Sequence, residues 1–195
     1  MKKKIIIIAI CFTLVLLLLP MTYTYKDGGT KEYKAVLYSI IKWHSIDNNY
    51  ESGYKTGTEF HFFPANLRRI DFYKNTIPQR MELFYKNNQY YASTLNYSWC
   101  NEYDNCSSRE VLLNKDIDYS DAIKVEKGQI INIVSPASIK NVVLYKGTLD
   151  NMYSQDIEYT DEHIKTPNEK GDYVYILHCK NDKNKVDYLF KVIVQ

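Results

Sequence analysis

Residues Ile5 to Leu19 form an apolar run that only Cys11 and Thr13 interrupt, and Lys2, Lys3 and Lys4 stand directly before it. A helix built from such a run has no polar face to turn to water, so it belongs in lipid or deep inside a core. Lysines first and hydrocarbon second is the order of an export signal. Short basic flanks stay on the cytoplasmic side, which places the chain beyond residue 24 outside. A signal's apolar region is about 7 to 15 residues and ends at a small-x-small site, whereas a span takes roughly 17 to 25. Residues 5–23 sit on that border. The flank Leu19-Pro20-Met21-Thr22-Tyr23-Thr24 offers no Ala-x-Ala site. The expectation is therefore an uncleaved signal anchor over residues 1–24, a single transmembrane helix that holds the rest outside the cell membrane. A cleaved signal and a secreted protein are the alternative. Cys11 follows Ile10 rather than a small residue, so it reads as a thiol buried in the membrane and not as an acylation site.

Setting the anchor aside leaves 171 of the 195 residues, enough for one ordinary domain or two small ones. Without Lys2, Lys3 and Lys4, 22 of the 25 basic residues face 23 acidic ones, which gives no electrostatic footprint for nucleic acid. Tyrosine is the anomaly: 19 against 7 Phe and 2 Trp. It suits strands, where the ring packs on a pleated surface and the hydroxyl stays wet, and it also suits surfaces that stack on sugars or peptides.

After a polar spacer, Lys26 to Thr30, the residues from Tyr33 to His44 are β-branched and aromatic without helix caps and read as one long strand. Asp47 to Gly53 is turn chemistry, and Thr58 to Phe63 is the returning strand, stopped by Pro64. Phe60 and Phe62 share one face of it, with His61 opposite. Ala65 to Tyr73 is a helical turn or loop that carries Arg68 and Arg69. Arg80 to Lys86 and Gln89 to Tyr97 flank Asn87-Asn88 and read as a hairpin, because asparagine tolerates positive φ. Ser98 to Ser108 reads as a loop, and Val111 to Tyr119 as the boundary between a β-rich region over 30–119 and a second region over 120–195.

In the second region, Ala122 to Val134 reads as strand, turn and strand around Lys127-Gly128, Val142 to Tyr145 as a short buried strand, and Ile157 to Ile164 as an edge. Gly171 to Cys179 and Val186 to Val194 form a closing pair around a polar turn. Gly171-Asp172-Tyr173, before the penultimate strand, resembles the Gly-x-Tyr corner of immunoglobulin-like β-sandwiches. The chain also resembles a set of uncharacterised exported Firmicutes proteins that pair a Phe-Phe-Pro segment, here Phe62-Phe63-Pro64, with a terminal Tyr-x-Phe-Lys-Val strand, here Tyr188 to Val192. The two resemblances imply an exported protein whose C-terminal half is an immunoglobulin-like sandwich, and they carry over no functional residue. The expected class is all-β throughout the exterior.

Cys100 and Cys106 bracket a polar loop in a compartment that permits oxidation, so a disulfide is expected between them. Cys179 reads as a buried core thiol. His44, His61, His163 and His178 lack the spacing that would set two metal ligands on one element, so no metal or cofactor is expected. His178 and Cys179 are neighbours on a strand and point to opposite faces. No Gly-x-Ser-x-Gly, Ser-x-x-Lys or phosphate-cradling loop occurs. These observations favour an extracytoplasmic binding or structural module without chemistry of its own, held in the membrane through residues 5–23 and partnered by an envelope protein or a glycan. A glycan-stacking platform over Tyr85, Tyr90, Tyr91 and Tyr97 is one candidate site. An enzymatic or accessory site drawn from Glu59, His61, Arg68 and Arg69 is the competing one.

Overall fold

The computed structural model describes residues 2–47, 49–50, 52–111, 122–147, 149, 151–153 and 157–195. The apolar run becomes one helix, α1 (Lys2–Leu18), exposed along nearly its whole length. At 1.5 Å per residue its 17 residues measure roughly 26 Å, short of a hydrocarbon core of about 30 Å. No helix among the described residues is long and apolar enough to cross a membrane. The expected transmembrane helix is corrected accordingly. Pro20 lacks a backbone N–H and disfavours helical geometry at Leu19, so the helix stops at Leu18 and the chain enters a strand.

The chain divides into two compact units, residues 1–74 and 75–195. The first holds an antiparallel meander of β1 (Met21–Thr24), β2 (Lys31–Lys34), β3 (Tyr38–Ile46) and β4 (Tyr54–Phe62). The single strand expected over 33–44 is thus two strands, with Ala35 N–H donating to Tyr38 O across the turn between them. That turn is built from Val36 and Leu37, which carry no turn signal. Two short 3-10 turns, Ala65–Leu67 and Ile70–Tyr73, follow β4 and lay Ile70 and Tyr73 against Ile41 and Trp43 in a small core.

The second unit is a pair of sheets around one common core. β5 (Glu82–Tyr85), β6 (Asn88–Tyr91), β10 (Ile130–Val134) and β12 (His163–Lys165) make one sheet in the order β12-β10-β5-β6. The other runs β11-β13-β14-β7-β8, from β11 (Ser138–Lys146), β13 (Gly171–Lys180), β14 (Lys185–Val194), β7 (Ser93–Cys100) and β8 (Cys106–Arg109). β9 (Ile123–Val125) lies parallel to the end of β14. Leu83, Ile131, Ile133 and Ile164 from the first sheet meet Tyr173, Tyr175, Leu177, Tyr188 and Phe190 from the second. Part of the tyrosine excess therefore sits in this core, where Tyr175 stacks on Phe190 at 4.9 Å and 2°.

Several boundaries move. β5 to β8 belong with the C-terminal strands, so the division falls after Lys74 and not near 119. Residues 112–121, which include most of the expected boundary segment, lie outside the described residues. The hairpin turn is Lys86-Asn87, one residue earlier than expected, with Lys86 taking the positive φ of 54°. Ser98 to Ser108 is a hairpin of β7 and β8 rather than a loop, since Trp99 and Cys100 pair with Ser107 and Cys106. β9 and β10 are both present, but they enter different sheets. The closing pair, β13 and β14, forms in full register from Gly171↔Val194 to Lys180↔Lys185.

Candidate binding surface

Cross-strand partners share a face, so the registers of the first sheet sort its side chains into two sets. Glu32 and Lys34 of β2, Ser39, Ile41 and Trp43 of β3, and Lys55, Gly57, Glu59 and His61 of β4 line the face covered by the 3-10 turns. Tyr33, Tyr38, Ile40, Phe60 and Phe62 line the other. The usual arrangement is inverted on β4: its charged residues are the half-buried ones and its phenylalanines are exposed.

The covered face carries a polar network centred on Lys55, Glu59, His61 and Tyr73. Lys55 Nζ lies 3.7 Å over the Trp43 ring, 3.5 Å from Glu59 Oε1 and 3.2 Å from Tyr73 O, to which it donates. Burial lowers the Lys55 pKa, and the Glu59 carboxylate opposes that shift. His61 Nε2 is 3.3 Å from Glu59 Oε2, and its ring stacks on Tyr73 at 3.8 Å. The Tyr73 hydroxyl donates to Ala65 O at 2.6 Å, and burial raises its pKa. These bonds tie β4 to the turns that cover it. The arginines of the competing site have partners of their own: Arg68 lays its guanidinium 3.9 Å over Phe72, and Arg69 pairs with Asp71 at 3.5 Å.

A cleft of about 540 Å³ lies along β1 and β2, lined by Tyr23, Tyr25, Glu32, Lys34, Arg69 and Asp71. The Tyr25 hydroxyl donates to Glu32 Oε2 at 2.5 Å, and burial followed by the Glu32 contact drives its pKa far above the usual tyrosine value. Opposite charges alternate around this cleft and largely satisfy one another.

The end of the same sheet is different. Phe62, Phe63 and Leu67 are 71%, 59% and 58% exposed, and Val36 and Leu37 lie exposed beside them. The cluster is held in a fixed shape. Phe63 N–H donates to Leu37 O at 2.9 Å, and the fully buried Asn66 side chain donates to Ala35 O at 3.0 Å and Val36 O at 2.8 Å. Lys34 Nζ donates to Arg68 O at 3.0 Å, which ties β2 to the residue that follows Leu67. Helix α1 leaves from this same end, since β1 begins at Met21 opposite Lys34, and the Tyr38 hydroxyl donates to Leu18 O at 3.1 Å. Sequence reasoning passed over this cluster. Its one local trace is an aromatic pair before a proline, followed by Leu67 and two arginines.

Of the four tyrosines of the expected stacking platform, three lie on the core of the second unit. Tyr85 is buried in the core of the second unit, and Tyr90 and Tyr97 pack against that core. Tyr91 is on the reverse face of β6, because successive strand residues alternate, and Arg80 lies 4.1 Å over its ring. The disulfide Cys100–Cys106 is formed and closes the β7–β8 hairpin. Asn184 holds the same strand by accepting from Cys100 N–H at 2.7 Å and donating to Cys100 O at 3.2 Å. Cys179 is a buried free thiol, pushed up to about 11 by burial, while His178 points to the other face and pairs with Asp187 at 2.7 Å. Among the described residues no cluster of three or more His, Cys, Asp or Glu side chains could hold a metal ion. No family model, no curated protein and no solved structure matches the chain.

Proposed function

We propose that this chain is an exported, all-β binding module that docks at the cell envelope through the exposed apolar end of its first unit, without chemistry of its own. The observation that carries the reading is that end: five large apolar side chains are exposed where β4 ends and where β2 turns into β3, with the turn held by buried Asn66 and joined to Phe63 by its backbone bond to Leu37. Isolated exposed apolar residues are ordinary, but a contiguous and rigid group of them marks an interaction surface. Export is supported by the order of Lys2 to Lys4 before an apolar helix that finds almost no cover within the chain, and by a disulfide suited to an oxidising compartment.

The second unit we read as an immunoglobulin-like sandwich that serves as the rigid carrier. β10 and β12 pair in one sheet and β11, β13 and β14 in the other, and the Tyr173 hydroxyl donates at 3.1 Å to Glu169 O, four residues upstream, as a tyrosine corner does. It departs from antibody domains in leaving Cys179 a free thiol.

The test is site-specific photo-cross-linking in living cells, with the photoreactive residue at Phe63 in one strain, at Ile46 on the opposite end of β3 in a second, and at Val134 of the second unit in a third. The reading expects adducts from position 63 alone. Adducts spread equally over the three exposed positions, or none from 63, would sink it.

A further inference from the structure

The geometry points to the surface of an anionic lipid bilayer as what covers this apolar end; the inference rests on the reading that the end docks to something. Three observations select lipid. The first is continuity. Beyond Lys4 helix α1 is apolar on all sides, and an apolar phase that receives it brings the emerging end of the sheet with it, since Leu18 O is bonded to Tyr38 and β1 starts two residues beyond Leu19. A helix of this length need not cross the bilayer to do so. The second is the shape of the patch. Phe62 at the end of β4, Phe63 and Leu67 just after it, and Val36 and Leu37 in the β2–β3 turn are all exposed, and Phe63 N–H is bonded to Leu37 O, which makes a shallow apolar wedge of the kind that enters the boundary between headgroups and acyl chains. The third is the charge beside it. Arg68 and Arg69 follow Leu67 directly and both are exposed, whereas Lys34 is held by Glu32 at 3.7 Å and by the Arg68 carbonyl, so the two arginines are the basic groups that lie where phosphate headgroups would be. The acidic group nearest to them in sequence, Asp71, is already paired with Arg69 and Lys74. Basic residues at an anionic leaflet each contribute roughly fivefold in affinity.

The test uses the full chain in vesicles of phosphatidylcholine and phosphatidylglycerol, with bromine carried on the acyl chains near the headgroup. Phe63→Trp and Leu67→Trp place reporters in the wedge, and Ile46→Trp places one at the far end of the same sheet; all three positions are exposed. The unaltered chain supplies the background from Trp43 and Trp99. The expected result is loss of the added emission at 63 and 67 in brominated vesicles, no loss at 46, and a deeper loss as the phosphatidylglycerol fraction rises. Two reporters guard against one that distorts its own loop. Emission at 63 and 67 as insensitive to bromine as at 46 overturns the lipid assignment. If position 63 nevertheless captures a protein in cells, whether another chain or a second copy of this one, docking stands and lipid is replaced by that partner. If it captures nothing, the docking reading falls as well.

Discussion

Two buried tyrosines of the second unit should respond to the same mutation with opposite signs. Tyr175 is 0% exposed, its ring stacks on Phe190, and its hydroxyl finds no hydrogen-bond partner among the described residues. Tyr188 is equally buried, but its hydroxyl donates to Gln79 O. A buried hydroxyl left without a partner costs about 1 to 3 kcal/mol, and a satisfied one contributes about 1 kcal/mol net. Each Tyr→Phe change keeps the ring and its packing, so only the hydroxyl is weighed. Tyr175→Phe should therefore stabilise the unit by about 1 kcal/mol, and Tyr188→Phe should destabilise it by about the same amount. For a unit of this size that is a rise and a fall of about 4 °C in Tm. Thermal unfolding followed by near-ultraviolet circular dichroism, which reports tyrosine packing directly, reads both. If Tyr175→Phe lowered Tm as much as Tyr188→Phe, the Tyr175 hydroxyl would have a partner and the reasoning would be refuted.

Replacing Cys100 and Cys106 together by serine should lower stability by about 2 kcal/mol, the chain-entropy value for so short a loop, with the bonds from Asn184 keeping β7 in place. A shifted urea midpoint at unchanged m-value checks this. Cys179 should resist alkylation at neutral pH until the second unit unfolds, because its thiol is buried and its pKa is pushed up to about 11; intact mass after timed iodoacetamide treatment measures it. Burial raises the pKa of Tyr173, Tyr175 and Tyr188 above the ordinary tyrosine value of about 10, so the folded unit keeps protons that the unfolded chain gives up. The stabilisation is complete below about pH 10 and falls as the pH rises beyond it, so tyrosinate absorbance should appear together with unfolding in an alkaline titration.

The closing strands were readable because their signals are local: alternating β-branched and aromatic residues from Gly171 to Val194 around a polar turn, with a glycine and a tyrosine at the start. The Cys100–Cys106 bridge was readable from spacing. What escaped depends on distant partners. Glu82 to Arg109 looks like part of an N-terminal region until β10 pairs with β5 and β14 with β7, long-range pairings that no local pattern encodes. The turn at Val36-Leu37 is invisible because its residues are strand formers, and the buried side chain of Asn66, thirty positions later, fixes its carbonyls. The apolar end itself is hidden because alternation puts Phe60 and Phe62 on one face and His61 on the other without saying which face is covered. On β4 the inner face is taken by Lys55, Glu59 and His61, whose polar groups contact one another and pack on Trp43 and Tyr73.

Hydroxyl-radical footprinting of the chain in intact cells tests most directly whether the apolar end is covered where the protein works. Phe62, Phe63 and Leu67 are compared with Ile46 and Tyr54 at the opposite end of the same strand pair, all of them exposed in the isolated chain. The account predicts that the first three are protected while the last two are oxidised. Oxidation of Phe62, Phe63 and Leu67 to the same extent as Ile46 and Tyr54 would show the end bare and contradict it.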